Sequence, residues 1–211
     1  MKLQKIGGIA SIANAVLTVI FLVILLVVFP RLGLFGPEDS MDPAKGIAAW
    51  AASPFTFFSF EIIYVLFAIA GLLVILALRE RMQAGAPILT QIALIVTAIS
   101  CVLWLAAGLV EHAVRLPIVS AKDTSAYRAA MGVYFGLSDG GDHAFGWASL
   151  VIGLAALKTA KLPRILGYLI ILIGLMFILD FLSLSIFAMI GLWLFIIQSV
   201  WLGIVLLRTK S

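Results

Sequence analysis

Six largely apolar stretches of 15 to 25 residues take up most of this chain, the fourth the shortest, and a helix needs about 20 to cross the hydrocarbon of a bilayer. They are Gly8–Phe29, Pro54–Leu78, Pro87–Val110, His143–Leu157, Pro163–Leu182 and Ser185–Leu207. With 64% hydrophobic and only 11% charged residues, the chain lies far from soluble domains, where about a quarter of residues are charged. Mean hydropathy is +1.23. No period-two alternation suggests a barrel, so all six runs are predicted to be helices that satisfy their own backbone in lipid. The expected fold is all-α: a bundle of six transmembrane helices in one domain, residues 1–211, with two longer outer loops that carry short helices. The first run follows Lys2 and Lys5, as a secretion signal would. At 22 residues, with Phe29-Pro30-Arg31 at its end, it instead predicts a retained anchor.

The bases give the bundle a direction. Placing the N-terminus in the cytoplasm assigns Lys2, Lys5, Arg79, Arg81, Lys158, Lys161, Arg164, Arg208 and Lys210 to short inner segments. Arg31, Lys45, Arg115, Lys122 and Arg128 then fall in two long outer loops, where positive charge weighs least. Both termini are predicted to be cytoplasmic, in a cell (inner) membrane. Because the bases are dispersed among loops, the net charge of +4 is no nucleic-acid signal. Cys101, the only cysteine, excludes an intramolecular disulfide and reads as a small buried hydrophobe.

In the first outer loop Asp42-Pro43 predicts a capped helix over 44–52, with Trp50 at the headgroups. In the second, residues 123–137 predict a short helix closing near Gly136. On the first, third and sixth runs, Asn14, Gln91 and Gln198 are expected to hydrogen-bond between helices. Gly7, Ser11 and Ala15 form a row of small residues suited to close packing.

The acids are more unevenly placed than the bases. Only Glu80 falls on the inner side, and the other nine lie on or near the outer side with both histidines. Glu61 precedes Arg79 by 18 residues, or roughly 27 Å of helix. Asp180 follows Pro163 by 17, or about 25 Å. Glu111-His112 closes the third run and Asp142-His143 opens the fourth. Glu61, Glu111, His112, Asp142, His143 and Asp180 are therefore expected at one outer depth, as a candidate polar pocket. Ionisable groups inside a membrane usually face a bundle interior or a wet cavity. Each has a plainer role as well: Glu111 is spaced to pair with Arg115 four residues on, Asp142 to cap the fourth helix, and the rest to sit among headgroups. His112 and His143 with Glu111 or Asp180 would make a ligand set for a divalent metal, and two histidines can hold a haem. No HExxH or i, i+4 histidine pair is present, so no metal, cofactor or catalytic residue is assigned.

The segment Lys161-Leu162-Pro163-Arg164-Ile165-Leu166-Gly167, with Asp180 beyond it, resembles a bacterial six-helix integral-membrane family of unknown function. The stretch His143-Ala144-Phe145-Gly146-Trp147 and Glu111 are similar to that family's pattern too. Two positions depart from it: Gly108 where an arginine is expected, and Gln198 where a carboxylate is expected. The resemblance implies the six-helix topology and singles out Glu111, His143 and Asp180, but it implies no activity.

Three functions follow as expectations. The first is a small binding or transport-like protein whose outer pocket takes a cation, a proton, or a small polar or lipid-like ligand. The second is an accessory subunit in a larger membrane complex, or a self-associating protein among membrane lipids. The third is a membrane-embedded metal-dependent enzyme; it ranks last, because Ser183 and Ser185 near Asp180 lack the glycine-framed serine elbow of a hydrolase.

Overall fold

The computed structural model describes residues 3–180 and 185–208. Lys2, Lys210, Leu182 and Ser183 lie outside them. Nearly every described residue is helical, and there is no strand among them. The helices are α1 (Leu3–Val23, continued by a π-helical turn Ile24–Val28), α2 (Phe29–Arg31), α3 (Pro37–Met41), α4 (Pro43–Ala52), α5 (Pro54–Met82), α6 (Pro87–Ala121), α7 (Thr124–Thr159), α8 (Arg164–Asp180) and α9 (Ser185–Leu207). Four segments are long and apolar enough to cross a membrane: Leu3–Arg31, Pro54–Met82, Pro87–Ala121 and Ile186–Leu207.

Six long helices stand in a closed ring. Each packs on its neighbours in sequence (α5 on α6, α6 on α7, α7 on α8, α8 on α9), and α1 closes the circle by packing on both α5 and α9. Small residues make the tightest joints. A Cβ placed on Gly203 would sit 2.9 Å from the Gly8 carbonyl oxygen, and one on Gly146 would sit 2.9 Å from that of Gly174. Lipid tails are as apolar as leucine, so helices in a membrane associate through close packing, and glycine permits it. Of the expected row on α1, Gly7 packs on Ala77 of α5, while Ser11 Oγ donates to the Ser199 carbonyl of α9 at 2.7 Å. Outward-facing residues such as Ile9, Val16, Ile69, Ile95 and Val102 stay exposed, as a lipid-facing surface requires.

Two helices run further than the apolar runs indicate. α6 continues past Val110 to Ala121, and Pro117 sits inside it. At 35 residues it is about 52 Å long, well beyond a hydrocarbon core of about 30 Å. α7 does not close at Gly136: one helix of 36 residues carries through Gly136, Gly140 and Gly141 to Thr159. The reason is packing, since Tyr127, Met131, Tyr134 and Ser138 are buried at helical spacing across the glycines. A tight turn joins the pair. Lys122 takes a left-handed conformation (φ 51°), and Asp123 caps α7 by accepting from the Ser125 and Ala126 N–H groups at 3.0 Å.

The far ends of α6 and α7 carry α3 and α4. Asp42 caps α4, accepting from Ala44 N at 2.9 Å, with Pro43 at the first helical position. Trp50 does not rest among headgroups. It is 2% exposed, its ring 4.8 Å from that of Tyr127, within an aromatic core that includes Phe57, Phe60, Tyr64 and Tyr134. The π-helical turn in α1 falls just before Pro30, whose ring and missing N–H forbid the regular bond at that point. A second, aliphatic core of Ile75, Leu78, Ala93, Ile152, Leu166 and Leu202 fills the opposite end, next to the basic residues Arg79, Arg81, Lys158 and Arg164.

Candidate functional site

The six acid and histidine residues expected at one depth divide among several local environments. Glu61 on α5 is 7% exposed and meets two bases from α6. Its carboxylate forms an ion pair with Arg115 and a 2.9 Å hydrogen bond with His112 Nδ1. Arg115 is 6% exposed, donates to the Pro54 carbonyl at 3.2 Å, and lies 5.8 Å from the Phe57 ring centre. Thus Arg115 does not pair with Glu111 along its own helix. The two buried partners exclude water from each other, whereas an i, i+4 pair on α6 would leave buried Glu61 with only the exposed His112. His112 caps the arrangement from outside, its side chain 60% exposed.

Glu111 points the other way, into the bundle. It is 4% exposed and lies near Trp50, Tyr127, Tyr134 and Tyr64. The Tyr64 hydroxyl lies 3.0 Å from that of Tyr134 and 3.3 Å from Ser138 Oγ. One helical turn below Ser138, Asp142 Oδ1 accepts from Trp104 Nε1 at 2.9 Å. Asp139 and Asp180 lie near enough to act on Asp142 through space. His143 Nε2 accepts from Trp147 Nε1 at 3.1 Å, one turn along α7.

So the structure joins Glu61 with His112, and makes Asp180 a neighbour of Asp142. Glu111 belongs to neither pair. Among the described residues no three histidine, cysteine or carboxylate side chains are grouped to hold a metal ion. His112 and His143 therefore do not share a ligand set with Glu111 or Asp180.

The enclosed space is on the axis of the ring. Two adjoining cavities of about 60 and 70 Å³ share Asn14, Gly71, Thr97, Phe145 and Phe195 on their walls. A water needs about 10–15 Å³ of such space, so each holds several. The cavity nearer the basic end adds Ser11, Ser149, Gln198 and Ser199. The other, nearer α4, adds Thr18, Tyr64, Trp104 and Asp142 among aromatic and aliphatic side chains. Of the six predicted site residues, Asp142 alone lines either cavity. Asn14 is 5% exposed, and its Oδ1 has no hydrogen-bond partner among the described residues. Gln198 is buried on the wall as well, but Gln91 is exposed on the outer face of α6 and bridges no helices.

Sequence reasoning missed Tyr64, Tyr134, Thr97 and Trp104. The signal was spacing: Phe57, Phe60, Tyr64, Phe67 and Gly71 recur every three or four residues, one stripe down the inner face of α5. Tyr127, Met131, Tyr134, Ser138, Asp142, Phe145 and Ser149 do the same on α7. In runs this apolar, an interior stripe differs from the lipid face only by its hydroxyls, amide and carboxylate. No family model, curated protein or solved structure matches this chain.

Proposed function

We propose that this chain is a small multi-pass protein of the cell membrane that binds a small solute on the axis of its helix ring. In this reading α7 and α8 cross the bilayer with the four long apolar segments, which makes six spans. Both termini face the cytoplasm, as the crowding of bases into short segments favours. Asp142 is the charged residue of the site, and Glu111 with its tyrosines belongs to the closure above it. The carrying observation is the axial space, walled mainly by apolar side chains with a few polar groups converging on it, which is the composition of small-ligand sites. Its volume suits something near the size of a few waters rather than a lipid.

Gly71 provides the test, because a Cβ there meets only Cys101 Sγ at 3.8 Å and points into both cavities. Purified protein in nanodiscs is to be melted against alkali and ammonium chlorides, urea and short alcohols. At least one solute should raise the melting temperature saturably, and Gly71→Leu should abolish that rise while keeping the helical content. Saturable stabilisation that survives Gly71→Leu would place binding elsewhere. Labelling of single cysteines in a Cys101→Ser background tests the topology: Lys122→Cys should react from outside intact cells and Lys158→Cys should not.

A further inference from the structure

We infer that the occupant of the cavity nearer α4 is a small monovalent cation, an alkali ion or ammonium, held by Asp142 with the oxygens of Asn14, Thr18 and Thr97. The inference rests on the axial cavity being the binding site, and it follows from where the wall's donors point. Thr18 Oγ1 donates its proton to the Asn14 carbonyl at 2.7 Å, and Thr97 Oγ1 donates to the Ala93 carbonyl at 2.8 Å. Cys101 Sγ is turned to the Ala68 carbonyl at 3.4 Å, and the Trp104 indole N–H is taken by Asp142. The Tyr64 hydroxyl is engaged with Tyr134 and Ser138. Each hydroxyl has one proton and two lone pairs, so a hydroxyl that has given its proton to the backbone offers the cavity lone pairs alone. Asn14 is the exception that brings N–H groups, but its buried oxygen is unpartnered, and a half-turn of the carboxamide exchanges the two ends.

The wall therefore presents acceptors and one carboxylate. An anion would meet lone pairs and the charge of Asp142, and the neighbouring Asp139 and Asp180 add to that field. Among the polar groups of this mainly apolar wall, a cation would meet the Asp142 carboxylate and the free lone pairs of Thr18, Thr97 and Asn14. Its charge is limited to one, because the described wall has one carboxylate, and calcium and magnesium sites add further hard oxygens or retained waters. Transition metals are disfavoured, since no three histidine, cysteine or carboxylate side chains are grouped among the described residues and the Cys101 thiol on this wall is turned to the Ala68 carbonyl. A buried oxygen with no hydrogen-bond partner is destabilising, so an occupant that meets Asn14 relieves a standing penalty.

The test uses the full chain in nanodiscs at constant ionic strength, with choline chloride as the balancing salt. Melting is followed while choline is replaced by sodium, potassium, ammonium or calcium, and separately with urea added. At least one of sodium, potassium and ammonium should stabilise saturably, with calcium and urea without effect. Asp142→Asn, which keeps the acceptor for Trp104, should weaken the apparent affinity at least about tenfold, the loss of one charged contact. Thr97→Val should weaken it less, and if Asp142→Asn does not fold, Thr97→Val and Thr18→Val carry the test. Stabilisation by urea but not by small cations, abolished by Gly71→Leu, would keep the axial site and overturn the cation. Unchanged cation affinity in Asp142→Asn or in both threonine variants would overturn it too. If no solute stabilises, or none is sensitive to Gly71→Leu, the axial site itself fails.

Discussion

Replacing Arg115 by methionine isolates the energy of the Glu61–Arg115 pair, because methionine keeps the length of the side chain and discards the charge. Both partners are more than nine-tenths buried, and removing one side of a buried pair generally costs about 3–5 kcal/mol. His112 offsets part of that, but an exposed side chain screened by solvent contributes at most about 1 kcal/mol. Arg115→Met should therefore cost about 2–4 kcal/mol. Two smaller losses are included: the bond to Pro54 and the contact with Phe57, the latter worth about 0.5–1 kcal/mol. Glu61→Gln combined with Arg115→Met leaves no lone charge, so only those smaller losses should remain, about 1–2 kcal/mol. Equilibrium unfolding in mixed micelles measures all the variants. A single-variant cost below about 1 kcal/mol, or a double variant equal to the sum of the singles, would refute the assignment of a desolvated pair.

Further predictions follow from the same geometry. Gly136→Ala should leave stability unchanged or raise it by up to about 1 kcal/mol, because a Cβ there meets nothing within 4 Å inside a continuous helix. Thermal melts showing clear destabilisation would contradict an unbroken α7. Gly146→Leu should lower stability by about 1–3 kcal/mol or more by forcing α7 from α8, and it should increase proteolysis of the α7–α8 loop. At the surface, the Ala126 N–H and the Ser125 hydroxyl hold the Asp123 carboxyl below its usual range, and Lys45 with the Phe35 N–H does the same for Asp39. Asp39 holds the Lys45 ammonium above its own usual range. The carboxylates' stabilisation is complete above the ordinary aspartate value and lost as pH falls through the lowered ones; that of Lys45 is lost only as pH rises through its raised value. Amide exchange at Phe35, Ser125 and Ala126, corrected for intrinsic rates, should show flat protection from about pH 5 to about pH 9 and a loss below that window. A loss centred near neutral pH would contradict this.

Much of the fold could be read from residue order. Apolar runs give long helices wherever lipid is the solvent, and Asp42-Pro43 starts a helix by ordinary capping chemistry. The ends of α6 and α7 were not legible in the same way. Residues 111–121 and 124–142 are too polar for a hydropathy criterion, and their helicity depends on packing against each other and on α4. Gly136, Gly140 and Gly141 suggest a break only when the buried stripe from Tyr127 to Ser149 is overlooked. Among the site residues, Asp142 was identifiable as an ionisable group beside an apolar run. That it lines the axial cavity while Glu111 does not could not be read in this way, because helical rotation within a ring depends on partners that no single segment contains. Arg115 shows the same thing: its local spacing favours Glu111, and the tertiary neighbour Glu61 wins because that carboxylate has no other buried base.

The junction of α1 with α9 sets an order of assembly. Every other joint in the circle links helices made one after the other, whereas Gly8 must wait for Gly203, almost the whole chain later. Until the last helix packs, the other five long helices form an open arc whose axial groups are uncovered on one side. Truncation before α9 should thus leave Ser11 and Asn14 stranded at an unsealed edge.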